Sequence, residues 1–212
     1  MQRLSVRASS FVPPAVVVAL VAALAVAGAF APRESGAFRY VKTADPGYPR
    51  IKYPDSLVSV NDRCIVSGTP LSTMIRPTYV NGKAIGYCCS GCPRTFVRDP
   101  EAWLADKKIA LRCPVEPTRP AVLDVAHRAQ IGKDWFFFSS PAAKKKFEAN
   151  PLAYVKALSD PVTHVRFKPT ATSFKMEYRG NTFYFVDPAS RALFAALPDS
   201  FATEKGGNRD GR

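Results

Sequence analysis

The chain carries the same short pattern three times, and this repetition is the feature that most constrains its fold. Residues 80–104, 130–155 and 178–201 each contain a glycine turn, an aromatic or apolar strand, a stretch of small residues, a phenylalanine and then a proline. The turn glycines are separated by 50 and then 48 residues. The matching positions are Gly82, Gly132 and Gly180, then Phe96, Phe147 and Phe194, and then Pro100, Pro151 and Pro198. The sequence therefore predicts tandem copies of one small unit.

Each copy predicts a β-hairpin followed by a helix. Asn81-Gly82 and Gly180-Asn181 are tight-turn signals, and aromatic strands are predicted at 135–138 and 183–185. Proline suits the first turn of a helix, so each repeat proline predicts the start of a second short helix. We therefore expect an α+β fold of three tandem β-hairpin-plus-helix units, each with a small aromatic core.

These units set the predicted divisions of the chain. The segment before them is rich in proline and charge without periodicity, which favours a linker or an extended arm that packs on the next part of the chain. The predicted divisions are an export or anchor segment at 1–31, the arm at 32–60, three units at 61–108, 109–160 and 161–203, and a disordered tail at 204–212.

The N-terminus predicts export. Arg3 and Arg7 precede an apolar run at 15–31 that ends in small residues, which is the pattern of a signal peptide. Cleavage after Ala29 is favoured, because Pro32 disfavours the next candidate position. An uncleaved anchor is the alternative, although the run is short against the roughly 20 residues of a membrane span. Either way we expect a periplasmic or secreted protein, or one held at the membrane by this run.

The charge and the motifs exclude several classes of function. A formal net charge of +13 favours anionic partners, but in an exported protein it predicts an anionic envelope surface or plain solubility, and not nucleic acid. There is no phosphate-binding glycine loop, HExxH, GxSxG or C-x-x-C-H motif. We expect no enzyme and no catalytic residue. His127 and His164 have no metal-ligand spacing around them.

Cysteines distinguish the first copy from the other two. Three of the five lie in "GYCCSGC" at 86–92, Cys64 lies 24 residues before Cys88, and Cys113 is isolated. A unit of this size buries little apolar surface and needs a metal, a disulfide or neighbours for stability. The residues matched to Cys88 and Cys92 are Phe138 and Ala142, within one residue, in the second copy, and Val186 and Ser190 in the third.

The first unit is therefore a candidate site for a soft metal. Cys64, Cys88 and Cys92 are the expected ligands, with Cys89, Cys113 or solvent completing the set. Three thiolates suit Cu(I) and four suit Zn(II), so the spacing leaves zinc and copper both open.

Two other uses of the thiols remain open. Cys89 and Cys92 form a C-x-x-C, the spacing of redox-active dithiols, although a repeat of about 45 residues is not a thioredoxin-like context. An exported protein can instead be stapled by a disulfide such as Cys64 to Cys92, which would leave an odd thiol.

The stretch "DRCIVSGTPLS…VNGKAIGYCCSGCPRTFVRDPEAWL" resembles a YHS domain or its relative the TRASH domain. The resemblance covers 62–104 and extends to the other copies only as a fold. It implies treble-clef-like units and heavy-metal binding through Cys64, Cys88 and Cys92, in envelope proteins or beside metal transporters. Cys89 departs from the pattern, since a small polar residue is usual there. The expected function is non-catalytic binding, storage or transfer of zinc or copper. The alternative is an envelope scaffold with a structural metal site or disulfide.

Overall fold

The computed structural model of the chain describes residues 37–202. The predicted export segment, residues 32–36 of the predicted arm and the whole of the predicted tail lie outside the described residues. Within the described range, five α-helices and four small sheets alternate, so the expected α+β class is confirmed at that level. No described helix is both long enough and apolar enough to cross a membrane.

The segment before the repeats packs against the first unit. Its two strands, β1 (Arg39–Val41) and β2 (Arg50–Lys52), pair in antiparallel fashion. Ile51 and Tyr53 are buried in the core of the first unit, and Phe38 meets Tyr53 edge-on, with 5.5 Å between ring centroids. This part of the predicted arm is therefore a covering layer on that core.

Each repeat contains a hairpin, a helix and a second helical turn in that order. The first has β3 (Thr78–Val80), β4 (Lys83–Ile85), α1 (Gly91–Phe96) and α2 (Pro100–Asp106). The second has β5 (Arg128–Ile131), β6 (Asp134–Phe137), α3 (Pro141–Ala149) and a 3-10 turn (Pro151–Ala153). The third opens with β7 (Leu158–Ser159) and β8 (Arg166–Phe167), followed by β9 (Phe174–Tyr178), β10 (Asn181–Phe185), α4 (Pro188–Ala196) and α5 (Pro198–Ala202).

Local sequence signals explain where these elements turn and begin. Asn81 and Gly82 both have positive φ, as the predicted tight turn requires. The third turn is centred on Arg179 and Gly180, one residue before the predicted pair, and Asn181 already belongs to β10. The repeat prolines begin α2, the 3-10 turn and α5, as predicted.

The hairpins are joined through asparagine side chains. The first two hairpins share one sheet of order β4-β3-β6-β5, in which β3 and β6 run parallel. Asn81 accepts from Phe137 N at 2.7 Å and donates to Phe137 O at 2.8 Å. Gly132, in the second turn, donates its N–H to Asn181 Oδ1 at 3.0 Å, and Asn181 Nδ2 donates to Gly132 O at 2.8 Å. The turn of each of these two hairpins therefore contacts the hairpin that comes after it.

One phenylalanine lies at the centre of each small core. Phe96, Phe147 and Phe194 are all buried, each in a different hydrophobic cluster. Phe147 contacts Phe136 and Phe138, with ring centroids 4.8 and 4.9 Å apart. The repeat phenylalanine thus packs the helix onto its own hairpin, as the sequence pattern predicts.

A buried arginine connects the arm and all three repeats. The guanidinium of Arg166 lies 3.2 Å from Asp134 Oδ2 in the second repeat and 3.4 Å from Asp55 Oδ2 in the arm. It also lies over the ring of Tyr79 in the first repeat, 3.6 Å from its centroid, and donates to Ala157 O at 2.9 Å. Burial raises the pKa of Asp134, and Arg166 opposes this shift. The ion pair with Arg166 therefore opposes the protonation that burial favours for this carboxyl group.

Replacing Arg166 with methionine should destabilise the metal-free protein by about 3–5 kcal/mol, because it leaves buried carboxylate charge without a partner. Arg179 is a matched control, since it pairs with Asp199 at the surface and its side chain is 57% exposed, against 6% for Arg166. Arg179→Met should cost less than about 1 kcal/mol. Denaturant unfolding of both variants measures the difference. Equal losses of unfolding free energy in the two variants would show that the contacts of Arg166 are not a principal source of stability.

Candidate metal centre

Three of the predicted ligands converge in the first unit. The sulfur atoms of Cys64, Cys88 and Cys92 all lie within 4.8 Å of one another, and those of Cys88 and Cys92 are 3.6 Å apart. Four sulfurs bound tetrahedrally at the usual Zn–S length are roughly 3.8 Å apart. The three side chains therefore have close to the spacing that a thiolate-bound metal ion requires.

Asn61 holds the loop that carries Cys64 against the end of the hairpin. Its Nδ2 donates to Gly86 O at 2.8 Å and to Arg63 O at 2.7 Å, and its Oδ1 accepts from Gly86 N at 2.8 Å. A Cβ at Gly86 would lie 2.8 Å from Leu71 Cδ1, so a larger residue would push these segments apart. The loop itself closes through the Cys64 N–H, which donates to Thr69 O at 2.8 Å. The spacing of Cys64 from Cys88 thus depends on a buried amide and a glycine.

Cys88 lies three residues past β4 and is held as a good metal ligand. Its Sγ is 3.2 Å from Ser67 Oγ. Burial alone would raise the pKa of Cys88, but hydrogen bonds from Ser67, Thr69 and the neighbouring thiols lower it overall. A lower pKa increases the fraction of thiolate, which is the form that binds metal.

Cys92 lies in the first turn of α1, and its sulfur is close to those of both Cys88 and Cys89. It is buried, and its Sγ lies 3.6 Å from that of Cys88 and 3.1 Å from that of Cys89. Burial, together with hydrogen bonds to Cys89, Cys64 and Cys88, raises the pKa of Cys92. A metal ion that binds here must therefore displace the proton of this thiol.

Cys89 lies at the rim of the cluster. Its side chain is exposed, and hydrogen bonds from Cys92 lower its pKa. It contacts Cys92 but does not belong to the group of sulfurs that lie within 4.8 Å of one another. Cys89 is thus a neighbour of the three-sulfur site, and not a fourth member of it in this arrangement.

The other candidate ligands lie elsewhere. Cys113 is buried in the core of the second unit, where its Sγ accepts from Glu116 N at 3.4 Å. His127 Nδ1 lies 2.7 Å from Asp124 Oδ1, and neither histidine belongs to the cysteine cluster. All five cysteines are free thiols. The described cluster therefore offers three sulfur donors, with one exposed thiol beside them.

Each of the other two units has residues at the positions that correspond to the three clustered cysteines. The sequence pattern predicts only some of these positions correctly. Cys64, Cys113 and Asp160 each donate their N–H across a short loop, to Thr69 O, Arg119 O and Val165 O at 2.8, 3.1 and 3.0 Å. Counting four residues back from each core phenylalanine gives Cys92, Ala143 and Ser190; eight residues back gives Cys88, Ser139 and Val186. The second-copy matches are thus one residue later than Phe138 and Ala142. Asp160 lies 34 residues before Phe194, as Cys113 lies 34 residues before Phe147, and this spacing is the signal that leads to it.

In the third unit, the hydrogen-bonded carboxylate of Asp160 lies at the position that corresponds to Cys64. Asp160 is fully buried, and its Oδ2 accepts from Ser190 Oγ at 2.7 Å and from Val186 N at 2.9 Å. Its Oδ1 accepts from Val162 N and Thr163 N at 2.8 and 2.9 Å. A carboxylate with four donors connects the opening loop to the strand–helix junction, where the first unit has three thiols.

The second unit has a weaker version of the same connection. Burial tends to raise the pKa of Cys113, but hydrogen bonds, first of all that from Ser139, lower it overall. Glu116 Oε2, 2.5 Å from Ser139 Oγ, is a second acceptor for the same hydroxyl proton. The opening loop and the strand–helix junction are therefore tied in all three units, by different chemistry in each.

No family model, no curated protein and no solved structure matches the chain. The donor atoms of the site are soft sulfurs in a half-buried setting. Such donors favour Zn(II) or Cu(I) over the hard cations that bind oxygen.

Ser190→Ala should destabilise the protein by about 1–3 kcal/mol, because one of the four donors to the buried carboxylate of Asp160 is removed. Ser200 is exposed and serves as the control, so Ser200→Ala should change stability by less than about 0.5 kcal/mol. Denaturant unfolding provides the measurement. If Ser190→Ala is as mild as the control, the carboxylate does not stabilise the third unit in this way.

Proposed function

We propose that this protein is an exported, non-catalytic metal-binding protein whose first unit holds one soft metal ion, zinc or copper. The observation that carries the proposal is the convergence of the Cys64, Cys88 and Cys92 sulfur atoms within 4.8 Å of one another. Its task is to bind, store or transfer that ion.

The donor set supports either metal. Three thiolates form a complete trigonal set for Cu(I), whereas Zn(II) needs a fourth donor. A water molecule could supply it, since Cys89, the exposed thiol beside the site, does not belong to the group of sulfurs within 4.8 Å of one another. A site with an exchangeable fourth donor is suited to handing its ion to another protein.

The resemblance of residues 62–104 to YHS and TRASH domains points the same way. It implies three treble-clef-like units, of which only the first keeps the cysteine set, and it implies work beside an envelope metal transporter. The signal-like residues 15–31 and the net charge of +13 fit an exported protein near an anionic surface.

A second candidate is an envelope scaffold in which the metal has only a structural role. Asp160 and Cys113 favour it, because they tie the same loop to the same junction by hydrogen bonds in the other two units. In that case the ion in the first unit replaces a hydrogen-bonded contact. The two candidates differ in exchange rate: a carrier site should exchange its ion with a chelator quickly, and a structural site slowly.

The full chain purified without chelator should contain about one metal ion per molecule, measured by elemental analysis beside a count of free thiols. Cys88→Ser and Cys92→Ser should each lose most of this metal, because each removes one of three sulfur donors. Cys113→Ser is the matched control and should retain it, since Cys113 lies in another core.

Folding is checked in every variant by far-UV circular dichroism. A folded, reduced wild-type chain that contains no zinc or copper, even after incubation with either ion, would contradict the proposal. Equal metal content in Cys92→Ser and Cys113→Ser would contradict the assignment of the site.

A further inference from the structure

We propose that Cys89 is a redox gate for the metal centre: a disulfide oxidant reacts at Cys89, Cys89 then pairs with Cys92, and the ion leaves. This inference rests on the proposed function, because it concerns the regulation of the same site. It assigns a role to the one cysteine of the "GYCCSGC" stretch that is not among the three clustered ligands.

Cys92 takes part in both states of the gate, the metal-bound state and the disulfide state. Its Sγ lies 3.6 Å from that of Cys88, within the metal cluster, and 3.1 Å from that of Cys89, outside it. A sulfur atom in a disulfide with Cys89 is no longer an anionic donor. Metal binding and the Cys89–Cys92 disulfide therefore exclude each other.

Exposure selects Cys89 as the point of attack. Cys64, Cys92 and Cys113 are buried, and Cys88 is half-buried beside Ser67. Cys89 is exposed, and so is the next residue, Ser90, so a large oxidant can approach this thiol without unfolding of the core. Thiol–disulfide exchange depends strongly on such access.

The geometry also selects the partner of Cys89. The Cys92 sulfur lies 3.1 Å from that of Cys89, and two residues separate them in the sequence. Cys88 is the adjacent residue, and its sulfur is held by Ser67 at 3.2 Å. A movement of Cys89 alone brings its sulfur to bonding distance of the Cys92 sulfur.

The reaction balances with a disulfide, R–S–S–R′, as the oxidant. The Cys89 thiolate attacks one sulfur, forms Cys89–S–S–R and releases R′–S⁻. The Cys92 sulfur then attacks Sγ of Cys89, forms the intramolecular disulfide and releases R–S⁻. The two cysteines lose two electrons in total and the oxidant gains them. The ion is left with Cys64 and Cys88 alone and dissociates, and a dithiol reductant reverses the sequence.

The test uses the full chain loaded with zinc and treated with glutathione disulfide, while a chromogenic chelator reports released zinc. The wild-type chain and Cys113→Ser should release zinc together with formation of a Cys89–Cys92 disulfide, identified by peptide mass spectrometry. Cys89→Ser should retain the ion and release it at least about tenfold more slowly, because the exposed thiol is missing. A dithiol reductant should restore metal binding in the wild-type chain.

Four outcomes would overturn the gate. Equal release rates for wild type and Cys89→Ser, or a disulfide mapped to Cys88 instead of Cys89, would overturn it while the metal centre stands. A folded Cys89→Ser chain that binds no zinc would show that Cys89 is a ligand and not a gate. A wild-type chain that binds no metal would overturn both this inference and the proposed function.

Discussion

The buried guanidinium of Arg166 is the interaction on which the arrangement of the described chain depends. Three small units, each with one central phenylalanine, share some apolar residues: Trp135 and Phe137 of the second unit lie in the first core, and Tyr184 of the third lies in the second. Arg166 adds polar contacts, with the arm at Asp55, the first unit at Tyr79 and the second at Asp134. Because one charge serves all these neighbours, the position of each unit is defined by the others. Small repeats that would be marginal alone are stabilised by such neighbour contacts.

Each unit has a second contact in common, between its opening loop and the junction of its last strand with its first helix. The first unit uses thiols that can share an ion, the second a thiol and a hydroxyl, and the third a carboxylate with four donors. If the candidate metal centre holds an ion, it serves both as a binding site and as a fold contact, so a carrier role and a structural role would involve the same atoms.

Much of this could be predicted from the sequence, because local rules govern it. Asn81-Gly82 predicts its turn, the repeat prolines predict helix starts, and the spacing of Cys88 and Cys92 places two sulfurs on one side of a helical turn. The junction at Arg166 could not be predicted, because nothing local distinguishes it from the other members of a set of 30 lysines and arginines. The orientation of the Cys89 side chain could not be predicted either, since a residue between a strand and a helix has no fixed side-chain periodicity. Asp160 was missed because a carboxylate replaces a thiol there, although the spacing of Cys113 from Phe147, applied to Phe194, leads to it.

The asparagine contacts between hairpins give the three described units a direction. Asn81, in the first turn, contacts the second hairpin, and Gly132, in the second turn, contacts the third. The amide belongs to the turn in the first contact and to the following strand, as Asn181, in the second. Each unit is thus attached to the next through one amide, so the order of the units along the chain is also their order in space.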